Sequence, residues 1–170
     1  LHRLLQCLAE VRKPSRDRIA PASYAARKGH VAILAILVMQ QADLDQKDGE
    51  GFSTVSFAVG SGCADVVLLL IHCQADVKCG SSAKPPCYSA ALAGNATIVR
   101  LLLAAKADVH ECFGISPPIW ASACNGHKDV LEVLLAANAN PDYCLSDTRT
   151  VLIVAAYYGH AEACRVLLDC

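Results

Sequence analysis

Aromatic side chains are scarce in this sequence: they make up 5% of it, with one tryptophan and three phenylalanines, and there is a single methionine. A core built from it must therefore rest on aliphatic and small residues. Long apolar runs are also missing. The longest, Val31–Met39, has nine residues, far short of the roughly 20 that span a bilayer as a helix. Neither sign of charge dominates, with 15 Lys+Arg against 16 Asp+Glu. Residues 1–85 hold 10 basic and 8 acidic side chains and residues 86–170 hold 5 and 8, so no basic face suited to nucleic acid or a membrane surface is expected. No Gly-rich phosphate loop, HExxH pair or nucleophile elbow occurs, which removes the common enzyme signatures.

Cysteine, in contrast, is plentiful. The ten cysteines include no CxxC pair, and no secretory leader is expected with them. They are expected to be reduced thiols packed as small hydrophobes in an intracellular protein, cytoplasmic or nuclear. His110, Cys112 and Cys144 are the nearest approach to a metal set, but they fall short of the four ligands zinc requires. No metal, cofactor or catalytic residue is expected. Cys79 and Cys112 are expected to be exposed loop thiols open to oxidation.

About half of the 170 residues are apolar, enough to bury a core in a domain of ordinary size, and they are distributed periodically. A glycine after a small-residue segment recurs at Gly29, Gly62, Gly94, Gly126 and Gly159, at intervals of 33, 32, 32 and 33. An alanine followed by a polar residue recurs at Ala9, Ala42, Ala75, Ala107 and Ala139, at intervals of 33, 33, 32 and 32. Between these markers lies an aliphatic run with helical spacing, such as Val130, Leu131, Val133, Leu134 and Leu135. Two markers locked to one period define a repeat array. Each unit reads as a short alanine-rich helix stopped by glycine, a second helix with a wide leucine and valine stripe, and a polar stretch that turns to the next unit. Helices this short need the neighbouring units to cover their apolar faces.

The units fall at about 20–43, 53–76, 85–108, 117–140 and 150–170, with the last truncated and a partial unit at 1–10. The best match to a known signature is "PPIWASACNGHKDVLEVLLAANAN" (117–140), with Pro118 and Ile119 at its opening and Gly126-His127 at its turn. Gly29-His30 and Gly159-His160 repeat that turn. In this the sequence resembles the ankyrin-repeat family, in register over nearly the whole chain. The resemblance implies an all-α solenoid of stacked helix-turn-helix units joined by hairpin-like loops. Both ends are incomplete units, as expected of a piece of a longer array. The opening histidine of the family signature is replaced throughout, by Ser23, Ser56, Tyr88, Trp120 and Ile153. The resemblance gives that histidine a hydrogen bond between units, so its loss is expected to weaken the stack.

The family works mainly as a protein-binding scaffold, through the first helices and loop tips of its concave side. The residues just before each turn glycine are expected to face outward there. They include Arg27-Lys28, Gly60-Ser61, Asn125 and Tyr157-Tyr158. Tyr88 and Trp120 either add aromatic area to this surface or pack between units. Phe113 and Tyr143 are the aromatic members of loop edges that otherwise read as solvated polar tips, including Lys47, Asp48, Glu50, Ser146 and Asp147. Aromatic anchors dominate many interfaces. The candidate protein-binding residues are thus Trp120, Tyr157, Tyr158, Phe113, Tyr143, Tyr88, Arg27, Lys28 and Asn125. Gly29, His30, Gly62, Gly94, Gly126, His127, Gly159 and His160 are assigned to the turns. The expected function is a protein-interaction module. The alternative is a spacer or self-association segment within a larger repeat protein.

Overall fold

The computed structural model describes residues 13–15, 17–78, 84–145 and 149–170. The partial unit at 1–10, Cys79, and the loop tip at Ser146 and Asp147 lie outside the described residues. The chain divides into two compact units, Leu1–Pro86 and Cys87–Cys170. Among the described residues the structure is all-α, with β pairing limited to isolated bridges between Phe113 and Ser116 and between Cys144 and Thr150.

The first unit holds two helix pairs: α1 (Pro21–Arg27) with α2 (Val31–Met39), and α3 (Thr54–Ser61) with α4 (Ala64–His72). First helix packs on first helix and second on second, α1 against α3 and α2 against α4. The second unit repeats this arrangement. Its pairs are α5 (Pro86–Leu92) with α6 (Ala96–Ala104), α7 (Pro118–Cys124) with α8 (Lys128–Ala136), and α9 (Val151–Tyr157) with α10 (Ala161–Leu168). Here α7 packs on α9, and α8 lies against both α6 and α10.

The first helices begin where the sequence supplies either a proline or a hydroxyl. Pro21 and Pro118 occupy the first turn of α1 and α7, where a missing N–H removes no bond. Ser53 and Thr150 instead accept hydrogen bonds from the N–H groups of Ser56 and Ile153, capping α3 and α9.

The second helices bury one register. Val66, Val67 and Leu70 of α4, Ile98, Val99 and Leu102 of α6, and Val130, Leu131 and Leu134 of α8 are all fully buried. These positions, i, i+1 and i+4, are the stripe that faces the neighbouring pairs. On α2 only Leu34 is buried, and Ile33, Ile36 and Met39 remain exposed.

Both sequence markers are helix stops built the same way. At the end of each first helix, glycine takes a left-handed conformation, with φ between 68° and 77° at Gly29, Gly62, Gly94, Gly126 and Gly159. In four of these turns the next residue's N–H bonds back across the turn: His30 to Ala25, Asn95 to Ala90, His127 to Ser122, and His160 to Ala155. At the ends of α2, α4, α6 and α8 the left-handed residue is Gln41, Gln74, Lys106 and Asn138 in turn. The marker alanine follows and donates to Leu37, Leu70, Leu102 or Leu134. Both are the same left-handed closure with a six-to-one bond.

At Gly94 and Gly126 the choice of glycine has a steric cause as well. A Cβ at Gly94 would stand 2.7 Å from the His127 ring, and one at Gly126 would stand 2.5 Å from that of His160. The left-handed residues after the second helices are exposed to solvent, so a side chain fits there. The polar half of the second marker starts the loop. Asp43, Asp76, Asp108 and Asn140 each accept, through Oδ1, the N–H two residues on, at 2.8–3.0 Å. These are Asx turns.

Candidate interaction surface

Two turn histidines tie the α7–α8 and α9–α10 pairs each to the pair before it. The Nε2–H of His127 donates to the Leu92 carbonyl at 3.1 Å, and that of His160 donates to the Cys124 carbonyl at 3.0 Å. Each ring thus lies over the preceding turn glycine and satisfies a carbonyl at the end of a first helix, a group with no partner inside that helix. The acceptors lie 35 and 36 residues upstream. The His30 side chain is exposed.

The missing opening histidine has local replacements. Ser23 and Thr54 share a buried hydrogen bond of 2.9 Å, which links α1 to α3. At two of the three positions in the second unit, Tyr88 and Trp120, an aromatic ring meets a ring from the following loop. Tyr88 lies 5.5 Å from Phe113, and Trp120 meets Tyr143 edge-on at 6.5 Å. Such contacts contribute about 0.5–1.5 kcal/mol beyond the area they bury.

This pairing decides which sequence candidates are accessible. Trp120 is only 7% exposed. Its burial corrects its placement on the candidate surface: the flanking helices and the Tyr143 ring enclose the indole. Tyr88 and Tyr143 are half-buried. The Tyr143 hydroxyl donates to the carbonyl of Ile115 and holds that loop tip. Burial, then the neighbouring Cys112, raises the pKa of the Tyr143 phenol.

Phe113 is 40% exposed, and Tyr157 and Tyr158 are 80% and 58% exposed. The two tyrosines form an edge-on pair at 5.1 Å, and Tyr158 also stacks near the His160 ring at 6.3 Å. Asn125 is exposed, with its side-chain amide donating to the Ala121 carbonyl at 2.8 Å. Arg27 and Lys28 are exposed too, but they belong to the first unit. Two apolar residues were missed, Ile115 at 63% and Ile153 at 48% exposure. The first had a readable signal, since it stands between Gly114 and Ser116 in a turn where no core function is available.

Among the described residues no three His, Cys, Asp or Glu side chains gather to hold a metal ion. The eight described cysteines are unpaired thiols. Burial, then the Glu111 and Asp108 charges, pushes the Cys87 pKa up to about 12, leaving it a neutral thiol. No described helix is long and apolar enough to cross a membrane.

Residues 87–170 match the family model for ankyrin repeats, in three copies. The solved structure of the human ASB11 ankyrin repeat domain is similar to 98% of this chain and 78% of its own, with a TM-score of 0.86 and 23% identity. That likeness speaks to the fold. No curated protein matches the sequence. Residues 87–170 thus belong to the ankyrin-repeat family. Ankyrin-repeat domains generally mediate protein–protein interaction and are not catalytic.

Proposed function

We propose that the chain is a protein-interaction module whose second unit engages a protein partner through its exposed aromatic residues, Tyr157, Tyr158 and Phe113, together with the half-buried Tyr88 and Tyr143. The observation that carries this reading is the Tyr157–Tyr158 pair. Two large rings stand together in solvent at 80% and 58% exposure, although aromatics are only 5% of the sequence. Clustered exposed aromatic area marks interaction sites, and tyrosine supplies contact area at low entropic cost. Asn125 adds a polar contact on the same unit. The reduced thiols suit an intracellular setting, cytoplasmic or nuclear.

Proximity labelling with the whole chain and with Tyr157→Ala, Tyr158→Ala and Phe113→Ala variants tests this. A partner captured by the wild type and lost from the folded variants supports the proposal. A partner retained by all three sinks it.

The spacer or self-association reading is favoured by a different observation, the exposed row Ile33, Ile36 and Met39 on α2. Sedimentation of the chain separates the two readings. A monomer across concentrations leaves the interaction module standing, whereas self-association abolished by Ile36→Glu supports the spacer.

A further inference from the structure

A groove of about 700 Å³ lies in the first unit, bordered by α1, α3 and the loop that leads into α3. Its apolar floor is the ring pair Phe52 and Phe57, with centroids 6.0 Å apart and both rings half-buried. Its rim carries three carboxylates, Asp17, Asp48 and Glu50, against one guanidinium, Arg27. Asp48 also holds the loop in shape, since its Oδ1 accepts the N–H groups of Glu50 and Phe52, each at 2.9 Å.

Gly60 opens the wall of this groove, and the backbone does not require a glycine there. Gly60 lies inside α3 and its φ is not positive. A Cβ built on it would meet nothing within 4 Å. Glycine inside a helix lowers stability relative to alanine, so the residue weakens α3 without relieving strain or a clash. One repeat earlier the position is Arg27; in the three later repeats it is Leu92, Cys124 and Tyr157. Of these five positions Gly60 alone has no side chain, and it lines the same groove as Phe52 and Phe57.

We propose that this groove receives an extended peptide segment of a partner protein that presents a basic side chain beside an aliphatic one. The aliphatic side chain fills the space over the two phenylalanine rings that Gly60 leaves open. The basic head lies against Asp17 and Glu50, where the rim's excess of negative charge favours it. Arg27 supplies donors for a backbone carbonyl of the bound segment. This site is separate from the exposed aromatic residues of the second unit and does not depend on them.

The test uses the whole chain and a labelled peptide of alternating arginine and leucine, about ten residues long, read by fluorescence anisotropy. The control is the same peptide with glutamate in place of arginine. The arginine peptide is expected to bind saturably. Gly60→Leu should weaken it by about tenfold or more, with a melting temperature equal to or above that of the wild type. Glu50→Gln, on the solvent-exposed rim, should weaken it severalfold and reduce its salt dependence. Tyr157→Ala should leave it unchanged, which keeps this test distinct from that of the exposed aromatic residues. The proposal is overturned if the arginine peptide does not bind saturably, if the glutamate peptide binds equally well, or if Gly60→Leu and Glu50→Gln both leave the affinity as it was.

Discussion

Gly126→Ala isolates what the histidine tie contributes. Two effects combine at this site. The backbone has φ of +68°, and a side-chain-bearing residue in the left-handed region costs about 1–2 kcal/mol. The added methyl would also stand 2.5 Å from Nδ1 and 2.6 Å from Cγ of His160. The ring must move, which disturbs its 3.0 Å bond to the Cys124 carbonyl, worth about 0.5–1.5 kcal/mol. Together these predict a loss of about 1.5–3.5 kcal/mol.

Gly159→Ala in the same unit is the control. Its φ is +77° but a methyl there meets nothing within 4 Å, so only the backbone effect of about 1–2 kcal/mol applies. Urea unfolding followed by circular dichroism measures both variants. The double variant Gly126→Ala with His160→Ala should lose less than the sum of its parts, because the ring that clashes is gone. Equal losses at Gly126 and Gly159, or strict additivity with His160→Ala, would refute the steric account.

Other outcomes follow from burial and charge. Trp120→Ala should cost about 3–5 kcal/mol as a core truncation, whereas Tyr157→Ala should stay within about 0.5 kcal/mol; thermal melts distinguish the two. Leu134→Ala, at a fully buried position, should cost about 2–5 kcal/mol, and Met39→Ala, at a site 80% exposed, almost nothing. Cys87 keeps its proton in the folded state up to about pH 12, against an ordinary value of 9.0. Its contribution to stability is complete below pH 9.0 and is lost as pH rises toward 12, because the unfolded chain ionises first. Cys87→Ala should flatten that part of the stability profile, and the exposed Cys112 and Cys144 should react with a thiol reagent before Cys87 does.

The period was legible because both markers report backbone requirements. Gly126 and Ala139 sit at recurring helix closures, and each closure constrains which residues fit. The buried stripe of Val130, Leu131 and Leu134 was legible for the same reason, since helical spacing alone puts those positions on one face. Trp120 was harder to place. Its local pattern locates it on α7, but its burial depends in part on Tyr143, a ring 23 residues further along the chain. The Ser23–Thr54 bond was hidden likewise: the sequence shows a missing histidine, not the hydroxyl pair that links the two helices instead. Gly60 read as one of several variable outward positions. The opening beside it is visible only once Phe52 and Phe57 are brought together.

Gln41, Gln74, Lys106 and Asn138 hold a left-handed backbone in open solvent, one after each of four second helices. Each is an independent adjustment point for its own repeat. A change to glycine there would relax the local geometry without altering any ring or charge that a partner could touch, so single repeats could be firmed or loosened while recognition stayed the same.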